Sequence, residues 1–483
     1  MTSGLNARSR DLVKLSNPQD LPDVFTTYRK MMEPLREAPR AVLPAPSKDS
    51  LPSFPQSAVP SQASPFIIPT SLDGILSALQ KPLDKTPLIK DPPSYPGGAQ
   101  SAHPFKGGET QAHTRLNHHI GSGSMTAYKD TRNGLLGPDF SSKLSAYLAL
   151  GAITSRQIHA SMLAFEDGTN DTWTGVHGYG KGQNEGTQSM RFELLWRDYM
   201  RLCTRKYGAK LFRLSGFKQR TDAVEKWSSP SNPNGQNREQ IQEMIERFLN
   251  GTTGMGLIDA SQREVFHTGY TSNRARQNVA SFLAKHLYID WRYGAEWYES
   301  MLVDYDLSSN WGNWQYVAGV GNDPRDDARV FNPVKQSFDY DSRADYVKTW
   351  VPEARACVEP GHAFQLWTVP ESERAEKGLE GLAMVEQPLK RIDFTVGKRG
   401  NPGRGRGSGG GGGGGGRGGD RGRGRGGHGK GGYGGRGYGS TRGHLRGYHS
   451  GRGRGGGGGG REARTGMMDK QREVGMTGEA PGS

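Results

Sequence analysis

An all-α fold, followed by a disordered Gly/Arg-rich tail, is what three observations on the 483 residues predict. Apolar residues recur at three- and four-residue spacing, most clearly in QSMRFELLWRDYMRLCTRKYG, where Phe192, Leu195, Tyr199, Met200 and Cys203 form one stripe. No alternation of short apolar strands with helical stretches precedes the helical region to supply a parallel sheet. From Gly397 onward nothing can bury enough surface to offset ordering entropy, and roughly half of the 71 glycines lie between 397 and 462.

Charge divides the chain in the same place. The net +14 resides in residues 398–461, which hold fifteen Lys/Arg and one acid, Asp420, so the remainder balances at 48 against 48. A basic tail on a neutral body points to a polyanionic partner for the tail alone. Two cysteines, Cys203 and Cys357, cannot make a disulfide framework and indicate a reducing compartment. No apolar run approaches the roughly 18–20 residues of a membrane span, and MTSGLNARSRDLVKL lacks a secretory h-region. Those features predict an intracellular protein of the nucleus or an organelle, with no membrane contact.

In chain order, residues 1–40 contain the amphipathic piece LPDVFTTYRKMMEPL, and residues 41–105 form a Pro-rich linker that cannot sustain a helix or a central strand. The helical domain is expected over 106–355. Its first part reads as helix, loop, helix. The loop, with Ser141, Ser142, Lys143, Leu144 and Ser145, feeds a helix N-terminus, where free backbone N–H groups suit a diphosphate. Ser141 or Ser142 as a simple helix cap is the competing reading. Glu166 to Thr187 is a polar Gly-rich loop in which Gln183 stands where a dinucleotide fingerprint needs its third glycine. The following helix carries Glu193, Trp196 and Arg197 on one face, and Glu193 with Arg197 has the spacing of a solvated ion pair. Ile241, Met244, Ile245, Phe248 and Leu249 mark another helix that Gly251 ends.

The densest stretch runs from Ser272 to Arg325. Ser272 is a candidate N-cap, Asn273 and Arg276 share a face, and Val279, Phe282, Leu283, His286 and Leu287 make the neighbouring apolar stripe. A second helix, roughly Gly294 to Tyr305, turns Trp297, Met301 and Leu302 inward and delivers Asp304 and Asp306 at its C-terminal end, where the helix dipole disfavours carboxylates. Arg276 is their nearest partner in sequence. An ordinary interhelical ion pair stays open as an explanation.

The motifs SNRxRQNVASFL, IDWRxGAEWxES and DYDxxSNxGNWQYVAGVGNDPR resemble the photolyase and cryptochrome flavoproteins, specifically the cryptochrome DASH branch, over roughly residues 111–355. The resemblance implies a helical domain burying FAD below a cavity sized for a flipped base. It places Tyr128, Ser141, Ser142, Lys143, Leu144 and Ser145 at the flavin phosphates. Arg276 with Asp304 then lies at the isoalloxazine edge, Asp306 near ribose and ring, Asn310 at the flavin N5, and Arg197 close to flavin and substrate. Ala146 stands where the family often has proline. The implied catalytic groups are Glu193 and Asn273, Trp196 packed on the lesion, and Trp314, Trp291 and Trp227 as an electron relay from flavin to surface. Large core residues are the ordinary alternative for those indoles.

The implied activity is blue-light repair of cyclobutane pyrimidine dimers by electron transfer from reduced FAD, with single-stranded DNA as substrate. Tyr316 and Gln277 stand where duplex-acting relatives usually carry Trp and Met, and TSNRAR lacks the histidine pair of the six-four class. A photoreceptor that binds FAD without repair is the alternative. LPDVFTTYRK looks like the segment just after the family's N-terminal α/β domain, so residues 1–40 are expected to be a remnant of that connection and no antenna folate is expected to bind. Residues 356–396 are expected to be a C-terminal extension, 397–462 the RGG-rich tail and 463–483 a disordered end. In the tail, Arg404, Arg406, Arg421, Arg423 and Arg425 would neutralise phosphates while Tyr433 and Tyr438 stack on bases of single-stranded DNA or RNA.

Overall fold

The computed structural model describes residues 17–33, 41–44, 46–53, 69–81, 94–325 and 329–393. The predicted Gly/Arg-rich tail and C-terminus lie outside them, as do Arg404, Arg406, Arg421, Arg423, Arg425, Tyr433 and Tyr438.

The elements in order are α1 (Phe25–Met32), α2 (Leu72–Gln80), α3 (Glu109–Gly121), α4 (Tyr128–Thr131), α5 (Ser145–Ala149), α6 (Ser155–Asp167), α7 (Glu185–Tyr207), α8 (Ala223–Lys226) and α9 (Arg238–Leu249). Then follow α10 (Gly256–Thr268), α11 (Asn273–Ser281), α12 (Arg292–Met301), α13 (Leu307–Ala318), α14 (Pro333–Tyr340), α15 (Asp345–Trp350), α16 (Pro360–Phe364), α17 (Glu371–Arg374) and α18 (Ala383–Glu386). Among the described residues only two isolated bridges interrupt this all-α pattern, Ser228 with Ile289 and Ser229 with Asn232. Capping chemistry sets several boundaries: Asn184 and Thr187 form a reciprocal box at the start of α7, Asn237 accepts from Glu239 and Gln240 at α9, and Ser272 accepts from Ala275 at α11. Gly251 lies just beyond α9 with φ +63°.

Burial follows the predicted stripes. Tyr199, Met200 and Cys203 of α7 are buried, as are Ile241, Ile245 and Phe248 of α9 and Val279, Phe282 and Leu283 along α11 and the π-helical turn Phe282–His286 that continues it. Tyr28, Tyr199, Trp227, Trp291 and Trp314 belong to the largest apolar cluster. A second cluster joins Leu257 of α10 to Tyr346 and Trp350 of α15, and a third is built from α3, α6 and α7 through Leu116, Ile120, Phe165 and Leu194.

Three expectations need correction. The helix read as Gly294 to Tyr305 is α12 and ends at Met301, so neither Asp304 nor Asp306 sits at its unfavourable C-terminal end. Asp306 instead caps α13, accepting from the Ser309 N–H at 2.9 Å, where the helix dipole favours a carboxylate. Residues 356–393 do not lie outside the domain: Ala363, Phe364, Leu366, Val369, Leu379 and Val385 are buried in one cluster with Trp350. Their apolar residues are divided among helices of four or five residues, too short to show a period. Finally, the loop expected from Glu166 begins within α6 and ends in the first turn of α7; Glu166 is buried, accepts from Thr187 Oγ1 at 2.6 Å and pairs with Arg191 at 2.9 Å.

Candidate functional site

The turn from α10 to α11 places the first functional pair. Gly269 closes α10 at φ +68°, and an added Cβ would lie 2.6 Å from Val303 Cγ1, so glycine allows the chain after α12 to pass against it. The Val303 N–H donates to the Gly269 carbonyl at 2.9 Å. Asp304, one residue on, is thereby brought to Arg276, whose Nη2 donates to both carboxylate oxygens at 3.1 and 3.0 Å while its Nε donates to the Thr271 carbonyl at 2.9 Å. Asp304 is 4% exposed and Arg276 24%. Burial weakens the proton affinity of Arg276, but the charge and hydrogen bonds of Asp304 more than restore it, leaving its pKa raised.

Asp306 meets a different pair of cations. Arg201 donates from Nε and Nη2 at 3.2 and 2.8 Å, and Arg197 Nη2 lies 3.6 Å away while also donating to the Leu148 carbonyl. Burial opposes charge on Asp306, yet Arg201, the Ser309 N–H and Arg197 together hold its carboxyl below the usual range. Arg201 was not singled out from sequence, although it follows Arg197 by four residues on the same helix.

The loop 141–145 is held from below. Arg115 of α3 donates to the Ser142 carbonyl at 2.9 Å and to Asp139 at 3.2 Å. Ser141 and Lys143 have φ of +72° and +57°, and α5 starts at Ser145 with Leu144 at the cap position and no side-chain cap. Neither Ser141 nor Ser142 caps the helix, so that alternative fails. With only five residues, α5 also contributes little macrodipole. The local cations are side chains instead. Lys143 is 3% exposed and donates from Nζ to Tyr270 Oη at 2.8 Å. Buried Tyr128 completes this side, its proton affinity raised chiefly by burial.

Whether these residues fit a diphosphate-bearing flavin can be judged from what they leave unpaired. His103 is buried with no partner for Nε2, and its pKa is pushed down to about 4 by burial and then by the Lys143 charge. Tyr298 Oη is likewise buried without a partner. Three cations, Lys143, Arg115 and Arg276, act on this region against Asp304 and Glu264. Unsatisfied buried polar atoms beside these ammonium and guanidinium groups fit an anionic, hydrogen-bonding ligand.

On α7, Glu193 pairs with Arg132 from the end of α4 and not with Arg197, so the predicted i,i+4 pair does not form. Burial pushes the Glu193 carboxyl up, with Arg132 and Arg274 pulling the other way. Trp196 donates from Nε1 to Asn313 Oδ1 at 3.1 Å and meets Phe25 and Tyr316 edge-on at 4.6 and 5.3 Å. Asn310 is buried and donates to the Ala295 carbonyl at 2.8 Å; Asn273 opens α11 and is exposed.

Of the three predicted relay indoles, Trp314 is 3% exposed, Trp291 0% and Trp227 1%. Trp314 lies over Gly294, where a Cβ would fall 2.1 Å from its ring. Trp291 donates to the Leu214 carbonyl at 3.2 Å and Trp227 to the Ala284 carbonyl at 2.8 Å. Trp227, expected at the surface, is covered, with the Lys226 ammonium 5.0 Å from its ring centre. A fourth indole, Trp311, sits edge-on to Trp291 at 5.9 Å. The sequence motif contains it, but its variable position within the motif gave no reason to single it out.

Residues 190–390 match the family model for the FAD binding domain of DNA photolyase. The chain is 56% identical over 394 residues to a Neurospora crassa protein named as a mitochondrial cryptochrome DASH, covering 79% of this chain and 53% of that one. It is 36% identical over 405 residues to the cryptochrome DASH of Natronomonas pharaonis, covering 81% of this chain and 73% of the relative. Among solved structures, the Synechocystis sp. PCC6803 cryptochrome superposes with a TM-score of 0.61 at 36% identity, covering 77% of this chain and 66% of that one. The chain therefore spans about half the length of its fungal relative.

Proposed function

This chain belongs to the photolyase and cryptochrome family, in its cryptochrome DASH branch, and from that premise we propose that it repairs cyclobutane pyrimidine dimers in single-stranded DNA under blue light. Tyr128, the segment Ser141, Ser142, Lys143, Leu144 and Ser145, and Arg197, Arg276, Asp304, Asp306 and Asn310 would hold FAD. When bound and reduced, FAD supplies the photoexcited electron that opens the cyclobutane ring. The protein's part is position and proton control. Arg276 and Asp304 present a fixed, nearly neutral edge, and Asp306 ties α13 to α7 through Arg201. Asn310 keeps its amide oriented through the Ala295 carbonyl.

The observation that carries the repair reading is Glu193. A carboxyl one-third exposed and held by Arg132 on the face that bears Trp196 can pass a proton to a pyrimidine carbonyl while the indole offers a flat apolar surface to the base. Asn273, exposed at the start of α11, supplies an amide for the same substrate. Withdrawing a dimer from its stack costs a few kcal/mol, least in a single strand. Trp314, Trp291 and Trp227 are buried indoles suited to feed electrons inward. An organelle is the compartment that the fungal relative's name supports for this chain.

A second reading, a photoreceptor without repair that meets RNA or DNA through its RGG tail, is favoured by the concentration of the whole net charge in residues 398–461. One experiment separates them: purify the chain, record its absorption spectrum and assay dimer reversal in a single-stranded oligonucleotide with and without blue light. Bound flavin with light-dependent reversal supports repair; bound flavin without it supports the receptor; a preparation that stays colourless after reconstitution with FAD refutes both.

A further inference from the structure

Resting on the assignment of Trp196 to the flipped base, we propose that Asn313 is a positioning residue that determines specificity: it holds the indole of Trp196 in one orientation before substrate arrives, and so sets how strongly a dimer is preferred over ordinary bases.

The placement begins with a glycine. Gly312 of α13 lies against Met200 of α7, where an added Cβ would fall 2.8 Å from the Met200 Sδ, so the two helices approach closely at this level. Met200 follows Trp196 by four residues and shares its helix face. The residue after Gly312 is thereby carried to the indole, and Trp196 Nε1 donates to Asn313 Oδ1 at 3.1 Å. The other end of the amide is used as well, since Asn313 Nδ2 donates to the Ser309 carbonyl at 2.7 Å. Ser309 is tied through its N–H to Asp306, and Asp306 accepts from Arg201 of α7. A circuit of polar contacts thus leaves α7, crosses α13 and returns, with the indole N–H as one of its links.

Two rings complete the seat. Phe25 of α1 and Tyr316 of α13 meet the indole at 4.6 and 5.3 Å with interplanar angles of 74° and 84°, the edge-on geometry that aromatic pairs favour. A hydrogen bond to the indole N–H lies in the ring plane, so it fixes the ring without covering a face. Trp196 accordingly keeps part of its surface exposed.

Packing does not demand this amide. Asn313 is exposed within α13, where asparagine is a weaker helix former than alanine. Its return is an indole oriented in advance. A side chain that must be ordered during binding lowers affinity about two- to tenfold, and a ring already held avoids that loss. The gain goes only to a base that reaches the indole; a strand bound through its phosphates gains nothing from it.

The test is dark binding of the FAD-loaded full chain to a single-stranded oligonucleotide carrying one thymine dimer, and to the same oligonucleotide undamaged. A red-emitting label read by anisotropy gives the ratio of the two affinities with no repair. Asn313→Ala should lower this ratio about fivefold, while urea unfolding stays near wild type because the better helix former offsets the lost hydrogen bonds. Asn313→Asp keeps an oxygen for the indole N–H and should retain the ratio, its added charge weakening both complexes alike; it decides the matter if the alanine variant does not fold. In a Trp196→Phe background, which offers no ring N–H, Asn313→Ala should change the ratio by less than about twofold. An unchanged ratio in Asn313→Ala, an equal loss in Asn313→Asp, or the full loss in the Trp196→Phe background overturns the role of Asn313 and leaves the repair reading standing. A wild-type chain that binds both strands equally overturns the repair reading and this inference with it.

Discussion

Replacing Asp304 by Asn probes the pair around which the site is built. The substitution keeps shape and removes the charge that faces Arg276, leaving a guanidinium only 24% exposed without its partner. Breaking a buried ion pair from one side costs about 3–5 kcal/mol. Arg276 retains its bond to the Thr271 carbonyl and some solvent access, so the lower end applies, about 3 kcal/mol. At roughly 2 °C per kcal/mol for a domain of this size, the apoprotein should melt about 6 °C lower. Thermal and urea unfolding of flavin-free protein measure this apart from cofactor binding, which would stabilise the fold by mass action. Adding Arg276→Met completes a double-mutant cycle, in which the paired change should cost less than the sum of the single changes by more than about 1 kcal/mol. A melting point within about 1 °C of wild type, or coupling below about 0.5 kcal/mol, would refute the claim that this pair is a buried, energetically coupled unit.

Glu193→Gln should lower dimer reversal about a hundredfold while FAD binding is unchanged. Its carboxyl is shifted upward, so the acid form persists above the normal carboxylate range and wild-type repair should decline as pH rises beyond it; a flat pH profile would exclude Glu193 as the proton source. Trp314→Phe should abolish photoreduction of bound flavin, read as loss of blue-light bleaching of the oxidised band, and unchanged bleaching would remove this indole from the relay. Phe364→Ala, in a ring that is 0% exposed and edge-on to Phe338 at 4.9 Å, should destabilise by about 3–5 kcal/mol in urea unfolding, whereas a peripheral extension would lose almost nothing. Deleting residues 397–462 should flatten the salt dependence of single-stranded DNA and RNA binding, and an unchanged slope would exclude the tail as the electrostatic anchor.

Much of this arrangement could be read from residue order because its signals are local. The stripe of Tyr199, Met200 and Cys203, the cap at Ser272 and the stop at Gly269 each depend on neighbours within a turn or two. Arg276 with Asp304 was also legible, as a candidate pair of opposite charges across two elements. What escaped notice depends on distant contacts. Arg132 is 61 residues from Glu193, Tyr270 is 127 from Lys143, and Tyr346 is 82 from Glu264; no spacing rule connects them. Asp306 lies off α12 because after Met301 the chain becomes extended at Leu302, and Asp306 begins the next helix. Residues 356–393 were hard to place because a core contribution split among several very short helices has no periodicity to detect.

Around Asp23 the early chain is fastened by a cluster of hydrogen bonds. Tyr199 Oη donates to the carbonyls of Pro22 and Asp23 at 3.0 and 2.6 Å, Lys206 Nζ reaches both the Leu21 carbonyl and the Asp23 carboxylate at 2.7 Å, and Asn322 binds the Asp23 carbonyl at 3.0 Å. Such a latch sets the register of Phe25 and Tyr28 against α7 where the chain is attached, so the apolar wall that Phe25 offers Trp196 is fixed at residues 21–23.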